Sequence, residues 1–330
     1  MRCLKWHAGS LFVALSTWAL AGLSAVALAQ GPSQRFVSPE DLNDVQETGL
    51  TISKRVDEVN LVFTVTNSKG HFISNLTAGD LKLMDNHQPP QRIGYFQQQS
   101  NLPLRVALLI DLSDSIRGRF EYEKQAAGMF LKRILRPEVD EAFVVGFNGK
   151  VNLVQDTTGD VDELAKSIHT LASGGDTALY DAIVFAADKL RSGTESRVTR
   201  RAIILITDGM DTASKGIMTD AENATVRAEA VMYALSTNSP LERYPKGDAV
   251  LDLLTNPSGG HILPAHEKAD LKAAFKNVEE ALRSQYALGY HPAGFRLDGS
   301  FHPIEILPHK RGLNVQCRKG YFAPRQPSNP

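Results

Sequence analysis

The residues best suited to chemistry stand where apolar runs end. Residues 106–110 (Val-Ala-Leu-Leu-Ile) run into Asp111-Leu112-Ser113-Asp114-Ser115, so oxygen donors fall at alternate positions as a strand becomes a loop. A carboxylate and two hydroxyls in that setting suit a small hard cation such as Mg²⁺, which takes oxygen ligands octahedrally and keeps waters. In open α/β sheets, ligands bind beyond the carboxyl ends of the strands. Alone, D-x-S-x-S is a weak pattern. Two further segments strengthen it. Gly174-Gly175-Asp176-Thr177 brings a hydroxyl-bearing loop just ahead of a helix read as starting at Thr177. Residues 202–206 end in Thr207-Asp208-Gly209, a carboxylate at the end of another strand.

These loops need a scaffold. Residues 106–110, 142–147, 202–206 and 231–235 are continuously apolar, as parallel strands buried on both faces are. Between them Leu179, Ile183, Ala186, Ala187 and Leu190 recur at helical spacing, as do Leu271, Phe275, Val278 and Leu282. The alternation predicts an α/β fold, a doubly wound and mostly parallel sheet with helices on both faces. On either side the period falls to two. Val59, Leu61, Phe63 and Val65 predict a half-buried strand, Asn67-Ser68-Lys69-Gly70 a turn, and Phe72-Ile73 a resumed strand. Leu81 and Leu83 alternate, and Ile93 and Tyr95 close the block. After Ser284, Ile304 with Ile306, and Leu313 with Val315 and Cys317, alternate again. So small a sheet is rarely stable alone. Segments 51–98 and 286–323 are therefore expected to pair as one small antiparallel β-sandwich, with the α/β region inserted between its halves.

The 330-residue chain is 42% hydrophobic and 22% charged, with a net charge of −1. That is the composition of a globular protein, and no basic excess points to nucleic acid. Residues 1–29 stand apart. Arg2 and Lys5 precede a largely apolar stretch at 11–28, and Ala27-Leu28-Ala29 fits a small-x-small cleavage site, the pattern of a secretory signal peptide. The rival reading is an uncleaved anchor, since the apolar stretch is about long enough to span a bilayer. Membrane association is expected only in that case. Cleavage would leave Cys317 as the sole cysteine, with no intramolecular disulfide or cysteine zinc site. Residues 30–50 read as a polar linker and 324–330 as a tail.

Asp111, Ser113, Ser115, Thr177 and Asp208 resemble the metal-ion-dependent adhesion site of the von Willebrand factor type A domain, with the required side chain at all five positions. The resemblance covers about residues 103–290, and the domain is placed at 103–285. It implies direct coordination by the two Ser and the Thr, the two Asp acting largely through water, and a partner's Glu or Asp completing the octahedron. The flanks, including Tyr286-Ala287-Leu288-Gly289-Tyr290 and Arg318-Lys319-Gly320-Tyr321, are similar to secreted bacterial proteins of the "VWFA-related" group common in Acidobacteria. That likeness adds architecture rather than activity. With mostly neutral direct ligands, a Mg²⁺ ion (Mn²⁺ or Ca²⁺ as alternatives) keeps much of its charge, and a partner carboxylate gains strongly from it.

The expected function is an exported, metal-dependent binding or adhesion module, secreted or in the periplasm or envelope. Its partner would be a protein or cell-surface ligand offering a Glu or Asp carboxylate. It is not expected to be an enzyme. The rivals are an envelope structural component whose contacts use the sandwich edge, and a hydrolase. The chain has no G-x-x-x-x-G-K-[ST], H-E-x-x-H or G-x-S-x-G motif.

Several other polar residues are expected to serve the fold. Asp114 is read as solvated and Asp176 as a helix N-cap. Asp211 is read as either a second carboxylate behind the metal or a cap, and Asp181 as a hydrogen-bonding residue. His261 and His266 lack a third ligand nearby. Cys317 is read as a buried inert thiol, and Arg197, Arg200 and Arg201 as a solvated loop.

Overall fold

Alternating and continuous apolar segments build two kinds of sheet. The computed structural model describes residues 58–98, 102–114, 118–192, 199–239 and 246–325, so the leader, the linker, Ser115 and Arg197 lie outside the described residues. In chain order the elements are β1 (Val59–Asn67), β2 (Leu81–Asp85), β3 (Arg92–Gln98), β4 (Leu104–Asp111), α1 (Phe120–Ile134), β5 (Glu141–Phe147), β6 (Val151–Thr158), α2 (Val161–His169), α3 (Leu179–Arg191), β7 (Arg200–Thr207), α4 (Met218–Arg227), β8 (Ala230–Ser236), α5 (Lys246–Thr255), β9 (Ile262–Pro264), α6 (Lys268–Arg283), β10 (Tyr286–His291), β11 (Phe301–Pro308), β12 (Leu313–Cys317) and β13 (Gly320–Phe322).

The continuous runs form a six-stranded sheet in the order β6-β5-β4-β7-β8-β9. Its ladders are parallel except β5–β6. Alternate residues of one strand serve opposite faces. Val106, Leu108 and Ile110 of β4 pack with α1, α2 and α6, through Leu131, Leu164 and Val278 among others. Ala107 and Leu109 pack with α3 and α5, through Ile183 and Leu251. Each such valine, leucine or isoleucine, fully buried, contributes about 1.5–3 kcal/mol relative to exposure, which is why these strands show no polar alternation. The edge strand β6 is half exposed, and its apolar pattern is correspondingly broken.

The two flanking segments interleave. A four-stranded antiparallel sheet has the order β12-β1-β10-β3, and a three-stranded sheet the order β13-β11-β2. β1 pairs Leu61 with Leu288 on one side and Val65 with Val315 on the other. The inner faces share one core that includes Leu61, Phe63, Leu83, Leu288, Ile304 and Ile306. Tyr286 stacks on Phe63 at 5.5 Å between ring centroids. At the end of β2 Asp85 is buried, and its Oδ2 accepts the hydroxyls of Tyr290 (2.7 Å) and Tyr321 (3.0 Å). His302 Nδ1 lies 3.4 Å from Asp85 Oδ1.

Two local expectations are corrected. Phe72-Ile73 do not resume a strand but make a single bridge, Phe72 to Thr66. Arg200 and Arg201 are not loop residues. They open β7, and Arg200 is buried. Among the described residues no helix is long and apolar enough to cross a membrane.

Candidate metal centre

β4 and β7 run side by side, with Ile110 opposite Ile206, so the loops carrying Asp111 and Asp208 leave the sheet together. Asp111 is 1% exposed. Its Oδ1 accepts the Ser113 backbone N–H at 2.8 Å, and its Oδ2 accepts the Thr207 hydroxyl at 2.6 Å. Burial pushes its pKa up, and the charge of Asp208 adds to this. The hydrogen bonds from Thr207 and Ser113 oppose the shift.

The second loop is woven onto the first. Gly174 and Gly175 have φ of 151° and 99°, which side chains rarely adopt. The Gly174 N–H donates to Leu112 O (2.5 Å), and the Asp114 N–H to Gly175 O (3.3 Å). Asn148 Nδ2 donates to Gly174 O at 2.9 Å. Thr177 is buried. Its N–H donates to Thr212 Oγ1 at 2.9 Å, and its carbonyl accepts the N–H groups of Thr212 and Ala213. The second loop is thereby joined to the third.

Asp208 is held from below. Asn238 Nδ2 donates to its carbonyl (2.8 Å) and to Asp248 Oδ1 (2.7 Å). Gly209 has φ of 81°, and a Cβ there would lie 2.5 Å from Gly247 O. The loop therefore rests directly on the start of α5 and has no room to shift towards it.

The structure thus joins the loops of Asp111, Ser113, Thr177 and Asp208 in one hydrogen-bonded mesh, and Ser115 lies outside the described residues. Among the described residues no three His, Cys, Asp or Glu side chains form a metal-holding group. The donor set here is hydroxyl-rich, and only its two carboxylates count towards such a group. The residues fit a hard cation on one observation. Asp111 is a buried carboxylate beside a second acid, and the polar contacts that hold it are hydroxyl and N–H groups.

Several further residues support the site. Thr207 closes an apolar strand and reads as part of it. Asp211, not Asp176, caps α3: its Oδ1 accepts the N–H of Leu179 (2.8 Å) and the hydroxyl of Ser214 (2.6 Å). The helix itself begins at Leu179, two residues later than expected at Thr177. Asp181 accepts the N–H groups of Lys215 (3.0 Å) and Gly216 (2.9 Å), fixing the third loop. On α1, Glu123 is fully buried, and its carboxyl is pushed up to about 7 by burial, with Asp111 adding and Arg119 opposing. Arg119 Nε lies 3.2 Å from Glu123 Oε1, and desolvation outweighs that pairing. His261 faces Asn277 (3.2 Å), and His266 faces Arg119 (3.2 Å) and Thr237 O (3.1 Å). Burial raises the Cys317 thiol to about 11 and keeps it unreactive.

The family model of the von Willebrand factor type A domain matches residues 106–210. No curated protein matches the chain. Among solved structures the chain is similar to the PilB minor pilin from Streptococcus sanguinis, with TM-score 0.46 and 12% identity over 60% of this chain and 63% of that one. It is also similar to the hypothetical protein BatB from Bacteroides thetaiotaomicron (0.44, 19%, 55% and 99%). The vWF domain of the type V pili tip protein Mfa5 from Porphyromonas gingivalis is a third (0.44, 14%, 55% and 95%). The chain spans less than two thirds of the PilB pilin. The matched segment supplies β4 through the Asp208 loop, so the part of the chain that matches the von Willebrand factor type A domain is the part that carries the candidate metal loops.

Proposed function

We propose that the chain is an exported binding module, not an enzyme, that uses a divalent cation to hold an acidic side chain of a protein or cell-surface partner. One observation carries this reading: a buried Asp111 carboxylate at a strand end, pinned by Thr207 and Ser113 among loops otherwise rich in hydroxyls. Asp111, Ser113, Ser115, Thr177 and Asp208 would hold the ion, Mg²⁺ or alternatively Mn²⁺ or Ca²⁺. When bound, the ion supplies a positive point that attracts a carboxylate. The chain's own part is rigidity. The mesh holds the Asp111 carboxylate and the Thr177 and Asp208 loops in place before binding, so less ordering is left to oppose association.

Thermal unfolding of the full chain in Mg²⁺ and in EDTA tests it, with Asp111→Ala and Ser113→Ala in parallel. At 100 times the dissociation constant, metal should stabilise by about 2.7 kcal/mol, a rise of roughly 5–10 °C in midpoint. Both variants should lose the rise. No rise with Mg²⁺, Mn²⁺ or Ca²⁺ would sink the metal reading. The half-exposed outer strand β3, with Ile93 39% exposed, favours the second reading, in which partner contacts use the sandwich edge. Partner capture that survives Asp111→Ala would select it. Metal-dependent turnover of an ester, phosphate or peptide substrate, lost in Ser113→Ala, would mark a hydrolase instead.

A further inference from the structure

Where the outer face of the four-stranded sheet meets the amino-terminal edge of the parallel sheet lies a cavity of about 50 Å³. Its lining includes Arg200, Arg201 and Arg318, with Thr64, Gln285 and Gln316. The charges do not balance. The carboxylate in the lining is Glu229, which pairs with Arg318 Nη1 at 2.8 Å. Arg200, only 6% exposed, meets neutral acceptors: Leu282 O (2.5 Å), Leu102 O (2.9 Å) and Gln285 Oε1 (3.4 Å). Asp140 is the acid that acts on it among the described residues, and Asp140 is already bound twice by Arg136, at 2.8 Å each. Burial pulls the Arg200 guanidinium down to about 10. In addition, the Nε atoms of Arg200, Arg201 and Arg318 are buried without a hydrogen-bond partner.

Buried guanidinium groups with unpaired donors are costly, and native structures rarely leave them so. The space exceeds the roughly 10–15 Å³ that one water needs. Several N–H donors around one small volume suit a multi-oxygen anion, for which guanidinium geometry is well matched. We infer that this seam binds a small tetrahedral oxyanion of the phosphate class between the sandwich and the α/β domain. A site there would tie Arg201 of β7 to Gln316 and Arg318 at the end of the sandwich. It lies at the opposite end of the sheet from the candidate metal centre and does not depend on that reading.

The test is thermal unfolding of the full chain in EDTA, with phosphate exchanged for chloride at constant ionic strength. Phosphate should raise the midpoint saturably by several degrees, and sulfate should do the same. Arg201→Gln should raise the half-saturating concentration at least tenfold. Gln285→Glu sets a carboxylate against Arg200. It should raise the midpoint in phosphate-free buffer and remove most of the phosphate increment. Chloride matching phosphate at equal ionic strength would overturn the oxyanion. A linear rise shared unchanged by both variants is general salt exclusion and would overturn the site.

Discussion

Thr207 shows how much of the candidate centre rests on a residue with no motif to mark it. Its hydroxyl donates to the buried Asp111 carboxylate at 2.6 Å. Hydrogen bonds to charged groups contribute about 1.5–3 kcal/mol, and losing a partner behind a metal ligand typically weakens metal affinity 10–100-fold. Thr207→Val should lower stability by that amount in urea unfolding and shift the Mg²⁺ dependence of the midpoint to higher concentration. Glu123 gives a pH signature. Its carboxyl is raised to about 7 by burial, so between about pH 4.5 and 7 the native state holds a proton that the unfolded chain has released. Its stabilising contribution is complete below about 4.5 and falls as pH rises through 7, by up to about 3 kcal/mol. Urea midpoints in EDTA across this range should decline more steeply in the wild type than in Glu123→Gln. At this scale the sequence is legible where donors stand in loop motifs, as Asp111, Ser113, Thr177 and Asp208 do. It is opaque where a partner comes from elsewhere. Asp211, which the sequence leaves open between a carboxylate behind the metal and a cap, caps α3 from 32 residues away in the chain, a partner that no local spacing names, and Asp176 has the right spacing without the role.

Among the elements, the parallel strands were the easiest to read, because burial on both faces leaves an uninterrupted apolar run. The same rule hid Arg200 and Arg201. A charged pair after a polar stretch reads as loop, yet here it opens β7 because backbone carbonyls and Gln285 receive the Arg200 guanidinium. The sandwich strands declared themselves by alternation, but their order did not. That β1 lies between β10 and β12 depends on pairings across more than 220 residues, which a period of two cannot encode. The polar group inside that sandwich is equally silent in sequence. Tyr290 is fully buried and donates to Asp85 at 2.7 Å. Tyr290→Phe should cost about 1–3 kcal/mol in urea unfolding, the penalty for a buried acceptor losing a donor, with the fold retained because Tyr321 still reaches the same oxygen.

At the scale of the molecule, the α/β domain is an insertion, and neither half of the sandwich is complete without it closing the path between them. β10 to β13 follow the insertion, so a chain ending at Ser284 would lose both partners of β1 and the partner of β2. Such a truncation should expose residues 58–98 to limited proteolysis while the parallel sheet persists, detectable as early cleavage on the amino side of β4. The sandwich sits at the sheet's amino-terminal edge, where Arg318 meets Glu229 (2.8 Å) and the Arg227 guanidinium lies over the Phe322 ring at 3.7 Å. The candidate metal loops leave the other edge.

β4 runs from one of these ends to the other. It enters beside Leu102, whose carbonyl is gripped by Arg136 (2.7 Å) and Arg200 (2.9 Å), and it finishes at Asp111. A tug applied at the loops and resisted at the sandwich would run along this strand. The ladders to β5 and β7 on either side would then be strained all at once, in shear, instead of parting one rung at a time. A strand flanked in this way is a mechanical spine between the two ends of the parallel sheet.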